Sequence, residues 1–319
     1  MTRSSPVNPR VHEFIESLKH QFKPLWWPPF LFHYADIENI VHILQEGTLY
    51  CRNLAQAKGL LQVDSAGQDV ISQTSAELLD YVRLYFRPRT PPLYHVEGFQ
   101  PCGNVQSAFR AHCPIPVYLL FDAKKVLSSP GVRFSDGNLA SRASDLFERT
   151  EDFHALDFSE IYHDTYLPND DPEMKNRIKK RRCAEVIVPE KLQLEDSLSW
   201  IICRSVAERE TLLNLLASRL YSQYAPITKV YSQCFFCNAH YVEKVVLQKS
   251  RIDLTFMPSG ASFRYRYVFK TGGGTVQREY SSPQPAFIWE SPQGNYSLDL
   301  FIDDHIAYKG HYEHMDVPF

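Results

Sequence analysis

Glycine is scarce in this sequence, with 13 residues in 319, whereas tyrosine and phenylalanine number 18 and 20. The glycine-rich motifs that cradle phosphates, GxxxxGK[ST] and GxGxxG, are absent, and so are GxSxG and HExxH. These absences argue against P-loop hydrolases, dinucleotide-binding Rossmann proteins, α/β-hydrolases and zincins. The aromatic composition favours strands and aromatic-lined grooves instead.

Long apolar runs are also missing. None approaches the roughly 20 residues that cross a bilayer, and no charged segment followed by an apolar one opens the chain. The net charge is -3, so any contact with a nucleic acid requires a local basic patch. We therefore expect a cytoplasmic protein with no membrane partner.

The seven cysteines are spread widely, and only Cys234 and Cys237 form a CxxC. No second CxxC or close histidine pair completes a zinc set, so two buried reduced thiols are the favoured interpretation. We expect no bound metal.

The order of elements predicts an α+β protein. Asp36 is placed to cap a helix with an apolar stripe from Ile37 to Leu44, and Gly47 is placed to end it. We predict further helices at 11–22, 141–163 and 207–224, and strands at 81–86, 116–121, 184–189 and 197–204. From about residue 240, six short segments separated by turn residues predict an antiparallel β-sandwich or barrel. We therefore predict two domains, 1–232 and an all-β domain at 233–319.

Four segments, in order along about residues 30–220, resemble the DarT family of ADP-ribosyltransferases. They are FHYADIENIVHILQEGTLYCRN, DYVRLYFRPRTPPLY, FSDGNLA and KKRRCAEVIV. The resemblance implies a split-sheet core with NAD, as co-substrate, in a cleft between two sheets. It places Glu185 as the catalytic residue at the ribose, and His33, Asn39, Gly47, Leu49, Tyr85, Arg89 and Asp136 as residues of the NAD site.

The chemistry of ADP-ribose transfer calls for a carboxylate such as Glu185. Loss of nicotinamide leaves positive charge on the ribose, which a nearby negative charge stabilises. The same carboxylate can remove a proton from the acceptor. On pattern alone, Glu185 could equally point from its strand into solvent, and His33 could be a core histidine.

One departure from the family pattern concerns arginine. Typical members carry an active-site arginine between the first helix and the aromatic strand, but residues 54–80 contain none, and Lys58 is their only cation. Arg52 or Arg87 is the expected replacement, with Arg83 a further candidate. The departure weakens the expectation of thymidine as acceptor, and RNA bases or guanine stay open.

A basic run precedes the catalytic strand. Lys179, Lys180, Arg181 and Arg182 are candidates for nucleic-acid contact, and a solvated basic face is the alternative. Arg89 could clamp either NAD phosphates or the acceptor strand, or form an ordinary ion pair.

The sequence thus predicts an enzyme that modifies bases of single-stranded DNA, or of mRNA as second choice. It would act as a toxin or antiphage effector, silenced by an antitoxin protein. The alternatives are a catalytically impaired nucleic-acid-binding module of the same fold, and an ADP-ribosyltransferase that acts on protein.

Overall fold

The computed structural model describes residues 7–23, 25–65, 68–101, 111–140, 144–283 and 287–313. The helices are α1 (Pro9–Gln21), α2 (Ile37–Glu46), α3 (Arg52–Ala57), α4 (Gln68–Gln73), α5 (Pro91–Val96), α6 (Ala123–Leu127), α7 (Phe158–Ile161), α8 (Pro172–Arg181), α9 (Leu194–Ser197), α10 (Val206–Leu215) and α11 (Ser218–Tyr224). Short 3-10 turns lie at Ala76–Asp80, Thr150–Ala155, Ala225–Ile227 and Ser232–Cys234.

Ten strands belong to the N-terminal region. They are β1 (Phe30–Asp36), β2 (Thr48–Tyr50), β3 (Tyr81–Tyr85), β4 (Pro116–Asp122), β5 (Arg133–Ser135), β6 (Leu146–Phe147), β7 (Glu185–Pro189), β8 (Lys191–Gln193), β9 (Leu198–Cys203) and β10 (Thr228–Val230). The C-terminal region contributes β11 (Tyr241–Leu247), β12 (Ile252–Met257), β13 (Phe263–Thr271), β14 (Gly274–Ser282), β15 (Phe287–Trp289), β16 (Tyr296–Ile302) and β17 (His305–Tyr312).

An eight-stranded sheet in the order β10-β9-β4-β1-β3-β7-β5-β6 forms the N-terminal core. Its two halves meet at β1 and β3, which pair at a single position, Phe32 with Tyr85, whereas β1 and β4 pair along seven positions. The sheet is therefore split at its centre, and the expected α+β split-sheet core is confirmed. Near the split, backbone N–H and C=O groups have no partner on the neighbouring strand, so their hydrogen bonds have to come from side chains or ligands.

The ends of α2 follow the predicted capping chemistry. The Asp36 side chain accepts a hydrogen bond from the Glu38 amide at 3.1 Å, and Gly47 adopts φ 63° at the C-terminus. Asp36 also accepts from the Ile115 amide at 3.1 Å, and burial raises its pKa to about 7. This cap fixes the direction of the chain as it leaves β1.

Two predicted helices are wrong in extent. Over 141–163 the described part contains β6, a 3-10 turn and α7, because Phe147 and Phe153 stack on Phe134 of β5 at 5.6 and 4.6 Å and aromatic packing outweighs helix propensity. The helix predicted at 207–224 is broken between α10 and α11, where Leu216 turns extended and buries its side chain.

The C-terminal region contains two antiparallel sheets, β11-β12-β15 and β14-β13-β16-β17. Aromatic side chains fill the space between them; Phe256 of the first sheet lies 5.8 Å from Tyr265 of the second, ring to ring. The expected sandwich is confirmed, with one strand more than predicted, since β17 closes the larger sheet. The division at 232/233 stays a prediction.

A fully buried ion-pair network joins the two regions. Arg204 at the end of β9 donates to Glu97 at 3.3 Å and to Glu208 of α10, and its guanidinium lies 4.0 Å from the ring centre of Tyr241 in β11. Glu97 in turn accepts from the amides of Phe236 and Cys237 at 2.9 and 2.8 Å. Paired charges buried between the two regions therefore hold the β-sandwich against the N-terminal core.

Six cysteines are described, and all are free, including Cys234 and Cys237; Cys102 lies outside the described residues. No helix in the described ranges is long and apolar enough to cross a membrane.

Replacing Arg204 tests the joint between the regions. We expect Arg204→Ala to lower the free energy of unfolding by about 3–5 kcal/mol, because Glu97 and Glu208 would lose their partner inside the protein. Arg251→Ala is the control: its ion pair with Asp253 is half exposed, and its loss should cost less than about 1 kcal/mol. Urea unfolding of both variants is the measurement, and equal effects would contradict the expectation.

Candidate active site

The alternation of β3 separates a polar face from a core face. Val82 and Leu84 are buried in the core, while Arg83 and Tyr85 point to the other side of the sheet. Tyr85 lies directly opposite Glu185 in the antiparallel pairing of β3 with β7. Residues that face each other across two strands lie on the same side of a sheet, so Glu185 joins the polar face.

Arg83 and Glu185 form a two-pronged ion pair. Arg83 Nε donates to Glu185 Oε2 at 2.5 Å, and Arg83 Nη2 donates to Oε1 at 2.6 Å. The Glu185 side chain is 0% exposed and that of Arg83 is 25% exposed. Burial alone would lower the pKa of Arg83, but the Glu185 carboxylate raises it above its usual value. Glu185 therefore does not point to solvent, and Arg83 is the arginine that contacts it.

The turn after β5 closes over this pair. The Leu139 amide donates to Glu185 Oε1 at 3.1 Å, and the Ser135 hydroxyl accepts from the Glu185 amide at 3.2 Å. The side-chain oxygen of Asn138 accepts from the Ala140 amide at 2.8 Å, which holds the turn in shape. Sequence reasoning chose Asp136 from this segment and missed these residues, although the FSDGNLA resemblance marked the turn.

His33 occupies the split between the sheet halves. Its Nδ1 lies 3.0 Å from the backbone oxygen of Arg83. A carbonyl oxygen can only accept, so Nδ1 carries the hydrogen. Burial lowers the pKa of His33, although the bond to Arg83 opposes the shift. The ring is therefore neutral, and Nε2 is left as an acceptor, as a ligand-binding role requires.

Two tyrosines line the same region. Tyr34 of β1 stacks on Tyr85 of β3 with ring centres 6.2 Å apart and planes 14° from parallel. Burial, and then the Glu185 carboxylate, raise the pKa of Tyr85 far above its ordinary range, so its hydroxyl stays protonated. The two rings lie beside the single pair of Phe32 with Tyr85, where the pairing of β1 with β3 ends.

Three predicted NAD residues have structural positions around α2. Asn39 holds the loop after α3. Its side chain accepts hydrogen bonds from the amides of Gln62 and Val63 at 2.7 and 3.1 Å and donates one to the Val63 carbonyl at 2.6 Å. Gly47 ends the helix, and Leu49 is buried in β2 opposite Leu192.

The two arginines expected to replace the missing one are engaged elsewhere. Arg52 forms a two-pronged pair with Asp64, one bond being 3.1 Å long. Arg87 is 2% exposed, donates to Asp164 at 2.7 Å and to the carbonyls of Ile161 and His163, and burial lowers its pKa to about 10. Neither makes a contact with Glu185 in the described structure.

The basic run before β7 divides into two parts. Lys180 and Arg181 both bind Asp136, the former at 3.2 Å, so this carboxylate anchors the end of α8. Lys179 is exposed, and Arg182 donates to the Nδ1 of His163 at 2.6 Å. Arg89, with φ 53°, pairs with Asp164.

A sheet split at its centre, with an acidic residue and its arginine beside the split, agrees with the ADP-ribosyltransferase core that the sequence resemblance implied. The family model "DarT: ssDNA thymidine ADP-ribosyltransferase" matches residues 32–236. This match covers more than half of the chain, which therefore belongs to the DarT family, and the protein is an NAD-dependent ADP-ribosyltransferase.

One solved structure supports this fold. A Thermus sp. 2.9 DarT in complex with ADP-ribosylated ssDNA is 20% identical, with a TM-score of 0.50, over 66% of this chain and 97% of its own. The same protein in complex with NAD+ has a TM-score of 0.49 at 20% identity, over 66% and 98%. Thermosipho africanus DarTG in complex with ADP-ribose is 16% identical, with a TM-score of 0.48, over 68% and 53%. No curated protein matches the chain.

A double-mutant cycle tests the Arg83–Glu185 pair. Arg83→Met and Glu185→Met should each destabilise the protein, because each leaves a charge unpaired, whereas the double variant should recover part of the loss. We expect a coupling free energy of about 1–3 kcal/mol in urea unfolding. The partly exposed pair of Arg52 and Asp64, treated likewise, should couple by less than about 1 kcal/mol. Additive effects at Arg83 and Glu185 would refute the pairing.

Proposed function

We propose that this protein transfers ADP-ribose from NAD to a ring nitrogen of a base in single-stranded DNA, with Glu185 as the catalytic residue. The observation that carries the proposal is the Arg83–Glu185 pair on the polar face of β3 and β7, beside the split. Arg83, from the catalytic sheet itself, takes the role of the arginine that the sequence lacks between residues 54 and 80.

The groups around the split suit NAD by their chemistry. The His33 Nε2 accepts a hydrogen bond from a ribose hydroxyl or a carboxamide N–H. The stacked Tyr34 and Tyr85 rings provide an aromatic wall for a flat, cationic nicotinamide ring. When bound, NAD supplies a ribose carbon whose bond to the nicotinamide nitrogen breaks as a bond to the acceptor nitrogen forms.

Glu185 serves two steps. Its negative charge stabilises the positive charge that develops on the ribose. It also accepts the proton that the acceptor nitrogen loses when the new bond forms. Arg83 is a positioning residue: its two hydrogen bonds fix the orientation of the carboxylate and compensate its charge inside the protein.

Glu185→Gln separates chemistry from folding. The amide keeps the shape of the side chain and an oxygen for Leu139, but it can neither stabilise positive charge nor accept the proton. We expect transfer to fall by roughly 10³-fold with little change in NAD affinity. Labelled NAD with single-stranded oligonucleotides measures transfer, and calorimetry measures NAD binding. Full activity in this variant would disprove the assignment.

The acceptor is expected to be a base with a ring N–H. Thymine and guanine each have a ring N–H. In adenine and cytosine the ring nitrogens carry no hydrogen, and the only N–H groups are the exocyclic amines. A carboxylate that removes a proton therefore favours oligo-dT or dG-containing strands over oligo-dA and oligo-dC. Transfer to the four strand types under equal NAD is the measurement; label on oligo-dA equal to that on oligo-dT would contradict this role of Glu185.

We propose that the protein acts in its organism as a toxin or antiphage effector and that an antitoxin protein is its partner. The support is the match to a family described as ssDNA thymidine ADP-ribosyltransferase, and the harm that DNA base modification would cause. RNA, whose uracil has the same ring N–H as thymine, is the second-choice acceptor. Host growth should stop when the unaltered chain is expressed and continue with Glu185→Gln; equal growth would reject the toxin role.

Two other functions compete with this proposal. A catalytically impaired nucleic-acid-binding module would show oligonucleotide binding without transfer to DNA, RNA or protein. A protein-directed ADP-ribosyltransferase would label protein alone. The intact Arg83–Glu185 pair favours the enzyme over the impaired module.

A further inference from the structure

Three arginines gather around one carboxylate just beyond the catalytic pair. Arg87 and Arg89 both donate to Asp164, and Arg182 lies near enough that Asp164 and Arg89 affect its pKa in opposite directions, although burial, which lowers it, dominates. His163, the remaining member, has its pKa lowered by burial and by Arg182, so it adds no charge. The cluster therefore carries a surplus of positive charge.

Two of these guanidinium groups have unused donors. Among the described residues, Arg89 Nε and Arg182 Nε are buried atoms without a hydrogen-bond partner, and so is the adjoining Thr90 hydroxyl. Arg87 differs, since it donates to backbone carbonyls and to Asp164 and is almost completely buried. An anion held between Arg89 and Arg182 would satisfy donors that the protein leaves unmet.

The end of α8 interacts electrostatically with the segment from Arg89 to His95, which extends the cationic cluster toward α5. Lys179 and Arg182, three residues apart on one face of the helix, approach two neighbouring places in the chain. Arg182 interacts with Arg89, just before α5, and Lys179 interacts with His95 of α5, whose pKa falls through burial and then through this charge. Positively charged side chains therefore lie both at the end of α8 and just before α5.

An exposed aromatic ring lies on the same helix as His95. Tyr94 is 51% exposed, and it is held edge-on against His95 and Phe236 with ring centres 5.5 and 5.0 Å apart. A large ring fixed by its neighbours yet open to solvent offers a stacking surface at small entropic cost. Cationic groups interleaved with such a ring are typical of single-strand binding surfaces.

We propose that Arg89 and Arg182 bind a backbone phosphate of the acceptor strand, and that Tyr94 stacks on a base next to the one modified. The proposal rests on the proposed function and adds a strand-binding surface to it. Arg89 lies four residues after Tyr85 through a bend, and Arg182 lies three residues before Glu185 at the end of α8, so neither is more than roughly 13 Å along the chain from the catalytic pair. A strand with its target base at Glu185 can place a flanking phosphate at that distance.

Binding, rather than transfer, is the sharper test, because it does not depend on the acceptor base. Fluorescence anisotropy with a labelled mixed-sequence oligonucleotide, with the Glu185→Gln chain as background, gives the Kd. We expect Arg182→Gln to raise Kd at least about tenfold and to reduce the slope of log Kd against log salt by about 1. Tyr94→Ala should raise Kd about tenfold, and Tyr94→Phe should not.

Arg177→Gln is the matched control. It removes one positive charge from the same helix but from the opposite face, where Arg177 pairs with Glu160 of α7. We expect its Kd to stay within about twofold, since long-range charge is screened by salt. Thermal unfolding verifies that each variant is folded, and Tyr94→Ala, at an exposed position, keeps the test valid if Arg182→Gln disturbs the cluster.

NAD affinity distinguishes the two sources of phosphate. If Arg182→Gln weakens NAD binding and leaves oligonucleotide binding unchanged, the phosphate site belongs to NAD and the proposal is overturned. Equal Kd values for Arg182→Gln, Arg177→Gln and the background chain also overturn it. Failure of transfer by the unaltered chain, with the predicted losses of oligonucleotide binding, would count against the proposed function and not against this surface.

Discussion

The active site depends on one cross-strand contact, the ion pair of Arg83 with Glu185. The pair needs β3 and β7 in a register that places Tyr85 opposite Glu185, and a one-residue slip would send every side chain of β7 to the other face. Without Arg83, the buried Glu185 carboxylate would lose the partner that compensates its charge. Register, burial and catalysis are thus constrained together.

Much of this could be predicted from the sequence because it is local. The Asp36 cap, the end of the helix at Gly47 and the apolar strand around Glu185 are each determined by residues that are neighbours in the sequence. The partner of Glu185 was harder to predict, since Arg83 is 102 residues away and cannot be told by sequence from Arg87, which lies just beyond the end of the same strand. Only the pairing register shows that Arg83 faces Glu185, while Arg87 turns into the Asp164 cluster.

The β-sandwich shows a second limit of sequence reasoning. Short strands with turn residues between them indicate its class, but the joint to the core pairs Glu97 with Arg204, 107 residues further along the chain, and Arg204 with Glu208. Buried charges that hold two sheets together look like ordinary surface residues in a sequence. Their cost in desolvation is offset only when all partners are in place, so the sandwich and the core are expected to fold as one unit.

The turn over Glu185 gives the site its most specific chemical feature. In the structure, the backbone N–H of Leu139 donates to Glu185 Oε1 at 3.1 Å. An incoming thymine or guanine can replace this bond with one of the same kind, so the exchange costs little hydrogen-bond energy. Adenine or cytosine has no ring N–H to offer in return. On the proposed function, this exchange favours an acceptor base that has a ring N–H over one that has none.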